Sequence, residues 1–405
     1  MRTGWSLQRR SSRRPTTSWN DRTLALWDWL FGWHLLRGEV SATVGTTGTG
    51  KSSLSIAEAL SIASGKQLLH DFIPSGPLRV ILVNLEDTRN TMEKRIAAAM
   101  RHYDLTPTDI GDRLIVLAKG EIKIQIAKQL RSGEVERNEE EIKKLTALVL
   151  EHRADVLSID SFVRSHAVRE NDNKAIEAVI ECFEEIASKG NCAVHLWHHT
   201  RKMNGDQATV ESARGAQAFN DTCRSVRVLE KMTQSERREL LGILPDMKAP
   251  GFYFKEFNGK RNFSEPAEEA NWFELVNIKL RNAEFDDGDR VGVVTKWYYP
   301  KLEVPPVVDT TIERILTKLR KGGPWRSDHR SEDEPWVGIP IAEVLVLNLS
   351  DARAKKAVAK IVKDLLRTGQ LVKVDGFDKQ GHSRPYIEAK PTVEASVGGN
   401  DPENG

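Results

Sequence analysis

The chain has 405 residues, 39% apolar and 29% charged, enough to bury a sizeable core and, at roughly 100–200 residues per domain, to form two or three domains. Its 60 Lys and Arg against 58 Asp and Glu leave a formal net charge of +2, so any basic surface is local. No apolar run is long enough to span a bilayer, which argues against an integral membrane protein. Cys182, Cys192 and Cys223 are odd in number and lack metal-type spacing; a disulfide scaffold and a Cys zinc site are disfavoured, and a reducing cytoplasm is expected.

Residues 1–22 are polar and basic, with Arg2, Arg9, Arg10, Arg13 and Arg14 among Ser and Thr, and read as a disordered tail without a signal-peptide apolar core. Residues 23–283 alternate short β-rich runs with helical patterns, the mark of an α/β sheet. Leu26 to Trp33 is aromatic-rich, fit either to pack as core or to seat a purine, with core the preferred reading. Buried strands are predicted at Val40–Val44, Arg79–Leu85, Leu114–Leu117, Val156–Ile159 and Cys192–Trp197. The helices between them are predicted at Ser53–Ala63, Thr91–Tyr103, Glu136–His152 and Asn173–Ser188. Beyond Arg214 the runs Thr222–Leu229, Gly251–Phe257 and Trp272–Lys279 read as antiparallel edge strands on a mainly parallel sheet. Residues 284–309, with an acidic turn and Pro300, Pro305 and Pro306, read as a linker. A compact module follows over 310–390, and 391–405 is a tail with nothing to bury.

The strongest signal is Val40–Val44 running into Gly45-Thr46-Thr47-Gly48-Thr49-Gly50-Lys51-Ser52 and then Ser53 at the start of an apolar helix. This is the strand–GxxxxGK[ST]–helix pattern of a phosphate loop. Its glycines let successive N–H groups point at phosphate oxygens, and the helix N-terminus adds its positive end. Lys51 would reach the β- and γ-phosphates, and the Ser52 hydroxyl would ligate Mg²⁺. ATP and Mg²⁺ are therefore the expected cofactors, with residues 45–53 holding the nucleotide.

Hydrolysis also needs a metal-holding acid and a group that orients water. Asp160 ends the run Val156–Ile159, the form of an acid that supports Mg²⁺ with Ser52. Glu86 follows Arg79–Leu85 and is the first choice to activate water, with Asp87 its substitute or a helix N-cap. His198 and His199 follow the run Cys192–Trp197; either could sense the γ-phosphate, or the pair could be a plain polar strand end, while zinc, which paired His also raises, lacks a third ligand of suitable spacing.

In this order, the loop, Glu86-Asp87, Asp160, Glu170-Asn171-Asp172-Asn173, His198-His199-Thr200-Arg201-Lys202 and Ser212-Ala213-Arg214-Gly215 resemble RepA-type ATPases of the RecA/DnaB-like superfamily. That group includes plasmid replicative helicases and many phage or prophage ATPases, and the resemblance covers about Trp27 to Asn282. It implies a RecA-like P-loop core, a homo-hexameric ring with ATP between subunits, and an arginine finger from the neighbour. Arg214 and Arg224 are the matching arginines, and Lys260 lies where related motors carry a trans-acting basic residue. The resemblance also implies that Val163–Lys174, carrying Arg164, His166, Arg169 and Lys174, and Arg201–Ala213, carrying Lys202, line the ring centre. There they would track single-stranded DNA through its phosphates, unless they are simply solvated loops.

The module at 310–390 reads as helix, helix, helix and hairpin, the winged helix-turn-helix order. Between Ser350 and Lys390 there are ten basic residues against five acidic, with Arg353, Lys355, Lys356, Lys360, Lys363 and Arg367 on the third helix and Lys373, Lys379 and Arg384 at the wing. Duplex DNA is the expected target, protein docking the alternative. The expectation for the whole chain is an ATP-hydrolysing ring motor acting on DNA. The alternative is an ATP-switched DNA-binding regulator of replication or recombination that unwinds nothing.

Overall fold

The computed structural model describes residues 26–200, 216–237, 252–261, 270–284, 288–300, 304–327, 335–378 and 380–390. The tails and Arg201–Ala213 lie outside these residues. The chain divides into one unit of Met1–Lys231 with Gly251–Tyr298, and a second of Met232–Pro250 with Tyr299–Gly405.

In the first unit, β1 (Trp29–Phe31) and β2 (Leu35–Leu36) form a small hairpin from the aromatic run. Leu30 and Phe31 are fully buried, so the run serves as core, whereas Trp27 is 58% exposed. The chain continues through β3 (Val40–Thr46), α1 (Lys51–Ser64), β4 (Val80–Asn84), α2 (Arg89–His102), α3 (Pro107–Ile110) and β5 (Leu114–Leu117). A short hairpin of β6 (Ala127–Gln129) and β7 (Val135–Arg137) precedes α4 (Glu139–His152). That helix starts later than its charge pattern suggested, because the Asn138 side chain caps it by accepting from Glu141 N at 3.2 Å. Then come β8 (Val156–Asp160), α5 (Asn173–Gly190), β9 (Ala193–Thr200), α6 (Ala216–Thr222) and β10 (Ser225–Lys231). The unit closes with β11 (Phe252–Arg261), β12 (Asn271–Lys279) and β13 (Arg290–Trp297).

Nine strands form one sheet in the order β13-β12-β11-β10-β3-β9-β8-β4-β5. From β10 to β5 every pairing is parallel, and β11, β12 and β13 add antiparallel edges. A mostly parallel sheet with antiparallel edge strands agrees with the expected α/β class. The parallel strands are apolar at consecutive positions because both faces are covered. Ile81 and Val83 join one cluster with Ile142, Leu145 and Phe183, while Val80 and Leu82 join another with Ile56, Leu60 and Phe31. Cys182, Cys192 and Cys223 are all free and buried.

Two expectations are corrected. The run Thr222–Leu229 read as antiparallel, yet β10 is parallel to β3 and antiparallel only to β11. A parallel neighbour needs a crossover, and α6, absent from the sequence reading, lies just before β10. The stretch 284–309 read as a linker, yet β13 pairs with β12 from Trp272↔Trp297 to Lys279↔Arg290. Where the described residues resume, Gly288 has φ +75°, and Asn282 and Asp289 exchange hydrogen bonds of 2.9 Å.

A charge cluster lies inside the first unit. The Arg227 side chain on β10 is 1% exposed and contacts Glu58 Oε1 of α1 at 2.5 Å, Glu256 Oε2 of β11 at 3.1 Å and Asp71 Oδ2 at 3.3 Å. It also donates to Thr43 Oγ1 of β3, whose hydroxyl lies 2.8 Å from His195 Nε2. One guanidinium thus joins the helix that follows the phosphate loop to three strands.

In the second unit, the main elements are α7 (Asp309–Arg320), β14 (Trp325–Arg326), α8 (Gly338–Leu345), α9 (Ala352–Arg367), β15 (Leu371–Phe377) and β16 (Ser383–Ala389). The strands form an antiparallel sheet in the order β14-β16-β15, and β14 has no counterpart in the sequence reading. Ile315, Leu319, Ile341, Val358, Val362 and Ile387 share its core. Lys355, Lys356, Lys360, Lys363 and Arg367 are exposed. Arg353 is not available with them: it pairs with Asp351 at 3.2 Å, donates to the Pro300 carbonyl and lies over the Tyr299 ring. Lys379 is outside the described residues. Among the described residues no helix is long and apolar enough to cross a membrane.

Burial pushes the Glu58 carboxyl up from 4.5 to about 8, with Arg227 opposing. Between those two values the folded chain holds a proton that the unfolded chain has lost. This contribution to stability is therefore full below pH 4.5 and lost as pH rises through about 8. Glu58→Gln should remove that slope: in thermal melting across this window the gap between variant and parent should change steadily with pH, and parallel curves would contradict the assignment.

Candidate nucleotide site

The phosphate loop turns on two left-handed glycines, Gly48 (φ +73°) and Gly50 (φ +84°), the second capping α1. A side chain at Gly50 would also sit 3.1 Å from the Phe254 ring of β11. The α1 N-terminus carries no acidic residue in its first turn, which leaves its positive end uncompensated. Thr49 Oγ1 donates to Thr46 O at 2.8 Å inside the loop, while Thr47 and Gly48 form its exposed tip. Lys51 is buried and its Nζ donates to Gly45 O at 2.6 Å and Thr46 O at 2.9 Å. Burial lowers this ammonium to about 8, with Asp160 and Glu86 pulling it back up. Ser53 stands apart from the set: its hydroxyl donates to Gly292 O on β13 at 3.1 Å.

Parallel pairing brings the acids to the loop. Asn84 is in register with Asp160, Asp160 with Trp197, and Gly45 with His199, so these strand ends lie side by side. Asp160 is fully buried, with Asn84 Nδ2 donating to its Oδ2 at 3.4 Å; burial pushes its carboxyl up to about 6, and the nearby Ser52 hydroxyl opposes that rise. Its Oδ1 has no hydrogen-bond partner among the described residues. A hydroxyl beside a buried carboxylate with one uncommitted oxygen fits a hard divalent cation such as Mg²⁺.

Glu86 Oε1 accepts from Ser161 Oγ at 2.8 Å and from Arg164 Nε at 3.4 Å, and lies 3.8 Å from His199 Nε2. Burial raises its pKa, but the Ser161 hydrogen bond, His199 and Arg164 outweigh it and hold the carboxylate below its ordinary value. Asp87 is turned to α2 by Arg95 at 3.1 Å and is not the N-cap, which is Thr88. Two residues here were not singled out from sequence. The Asn84 side-chain oxygen accepts from Glu86 N at 2.9 Å and Asp87 N at 2.7 Å, fixing the turn that presents Glu86, and Ser161 holds that carboxylate. An Asn closing an apolar run before two acids is the signal for such a turn.

The two histidines separate. His199 is 28% exposed beside Glu86, whereas His198 packs between Phe162 and Phe219, with burial lowering it to about 3. Successive strand residues face opposite sides, so only one of the pair can reach the site. His166, expected on a DNA-facing loop, is likewise buried against Phe162, while Arg164, Arg169 and Lys174 are exposed. Arg224 lies at the far end of β10 from the phosphate loop, paired with Glu39 at 3.0 Å. Lys260 donates to Asp221 O at 3.3 Å. Arg214 lies outside the described residues.

Residues 8–205 match a family model described as an AAA domain. Among solved structures, the RadB recombinase crystal structure is similar at 14% identity and a TM-score of 0.37, over 60% of this chain and 89% of that one. The loop and the strand-end acids are those a P-loop ATPase needs, and the family match over 8–205 supports that class.

His198→Phe should leave ATP turnover within about twofold of the parent, while His199→Ala should lower it about tenfold, the equivalent of about 1.4 kcal/mol. Steady-state ATPase rates on both variants check this, and the reverse ranking would move the sensing role to His198.

Proposed function

We propose that this protein is a RepA-type, Mg²⁺-dependent ATPase that works on DNA as a hexameric ring motor. The observation that carries the reading is the convergence of Lys51, the Ser52–Asp160 pair and Glu86, with Glu86 tied to Arg164 on the loop after β8. Lys51 and the loop amides bind the triphosphate. Ser52 and Asp160 would hold Mg²⁺, which when bound neutralises phosphate charge. Glu86 orients the attacking water and accepts its proton. An arginine from the adjacent subunit, Arg224 or Arg214, completes the charge at the transferring phosphate, so turnover depends on assembly.

The DNA role is supported by basic groups in two places. Arg164, Arg169 and Lys174 are exposed on 163–174, suited to phosphate contacts without base readout. In the second unit, the order α7, β14, α8, α9 and the β15–β16 hairpin fits a winged helix, with α9 as its recognition helix. Lys355, Lys356, Lys360, Lys363 and Arg367 give that helix a cationic face suited to duplex phosphates. The same row would also serve an ATP-switched regulator that binds duplex DNA without unwinding it.

Lys51→Ala should abolish ATP turnover with unchanged folding, and Glu86→Gln should keep ATP bound but unhydrolysed. Single-stranded DNA should stimulate the parent's ATPase in a salt-dependent way. Near-normal turnover in Lys51→Ala would refute the site. Strand displacement on forked DNA separates a helicase from a regulator, and an ATPase indifferent to DNA would remove both.

A further inference from the structure

A second lysine converges on the phosphate loop from a strand 180 residues later in the chain (231 − 51). Parallel pairing sets Leu229 of β10 opposite Gly45, so Lys231, two residues on, stands beside the loop that begins there. Its Nζ lies 3.3 Å from where a Cβ on Gly48 would be. The φ of +73° is what requires glycine at 48, and the Lys231 ammonium lies on the open face that the missing side chain leaves. Lys231 is exposed and lies over the Phe252 ring, 5.5 Å from its centroid. Phe252 neighbours Phe254, the ring packed against Gly50. The two aromatics of β11 therefore support the loop at one point and the lysine at another.

Among the described residues, no carboxylate pairs with Lys231. It is close enough to Lys51 for its charge to oppose that of Lys51. Two like charges at one loop, one buried and one exposed, destabilise each other unless an anion lies within reach of both. The phosphate loop is built to receive such an anion, and Lys51 is the residue that reaches its β- and γ-phosphates.

We propose that Lys231 is a second phosphate-binding residue, whose ammonium contacts the terminal phosphates of the nucleotide from the β10 side of the loop. The proposal rests on the reading that this loop takes a nucleoside triphosphate. It adds a contact within the same chain, independent of any arginine from a neighbouring subunit. The loop tip is thus gripped from both sides, by Lys51 at the base and Lys231 at the rim. Because Lys231 is solvent-facing, its contribution should be more salt-sensitive than that of Lys51.

The test is a fluorescence titration of the full chain with a labelled nucleotide, as Mg·ATP and Mg·ADP, at low and at moderate salt. Parent, Lys51→Ala, Lys231→Gln and Lys231→Arg are compared, with thermal melting to confirm folding. Lys231→Gln should weaken Mg·ATP about tenfold at low salt, the scale of one charge-assisted contact, and Mg·ADP less. Its ATP affinity should also depend less on salt, and Lys231→Arg should stay close to the parent. Parent-like ATP affinity in Lys231→Gln at both salts would overturn the proposal while leaving the nucleotide site intact. Equal losses for ATP and ADP would overturn the terminal-phosphate placement. A parent that takes up neither nucleotide would overturn the site itself, and this proposal with it.

Discussion

Parallel strand pairing is the constraint on which the site depends. When neighbouring strands run the same way, all their carboxyl ends emerge on one edge of the sheet, and whatever follows them in sequence is forced together. Here the ends of β3, β4, β8 and β9 bring the phosphate loop, Asn84 with Glu86, Asp160 with Ser161, and His199 to one edge. No local preference of these residues would do so. The apolar run on each strand is what buys this convergence, because strands covered on both faces leave little freedom of register.

The Arg227 cluster adds a second restraint, directed at α1. The helix must present its N-terminus to the phosphate loop, and Glu58 anchors it through Arg227 to β10, β3 and β11. A buried charge of this kind contributes little net stability compared with apolar packing, and removing one partner costs about 3–5 kcal/mol. Its value lies in direction. A directed hydrogen bond from a guanidinium fixes the rotation of a helix against a sheet more narrowly than interchangeable aliphatic contacts do.

The strand ends also divide work between paired residues of similar chemistry. Of Glu86 and Asp87, one faces Ser161 and Arg164 while the other is drawn to Arg95 on α2. Of His198 and His199, one fills an aromatic pocket while the other lies near Glu86. The same separation recurs in the second unit, where Arg353 is tied to Asp351 and Tyr299 while the lysines of α9 stay exposed. Charge count along a helix therefore overstates the surface offered to a ligand.

Much of this was legible in the residues themselves. The glycines and Lys51 announce a phosphate loop because few other folds need that spacing, and the apolar runs ending in Glu86 and Asp160 mark strand ends by their abrupt change of polarity. Those signals are local, carried by neighbours a few positions apart. Three features depended on long-range contacts instead. The direction of β10 followed from a crossover helix with a weak pattern, and β13 was hidden behind an acidic turn that reads equally as a linker. The choice between adjacent histidines rested on which face of β9 is covered by Phe162 and Phe219. Lys231 belongs with these: nothing within ten residues of it points to a phosphate, and only the pairing of β10 with β3 places it beside Gly48. Chemistry was set by residue type and spacing, whereas partnership was set by which strands the backbone laid side by side.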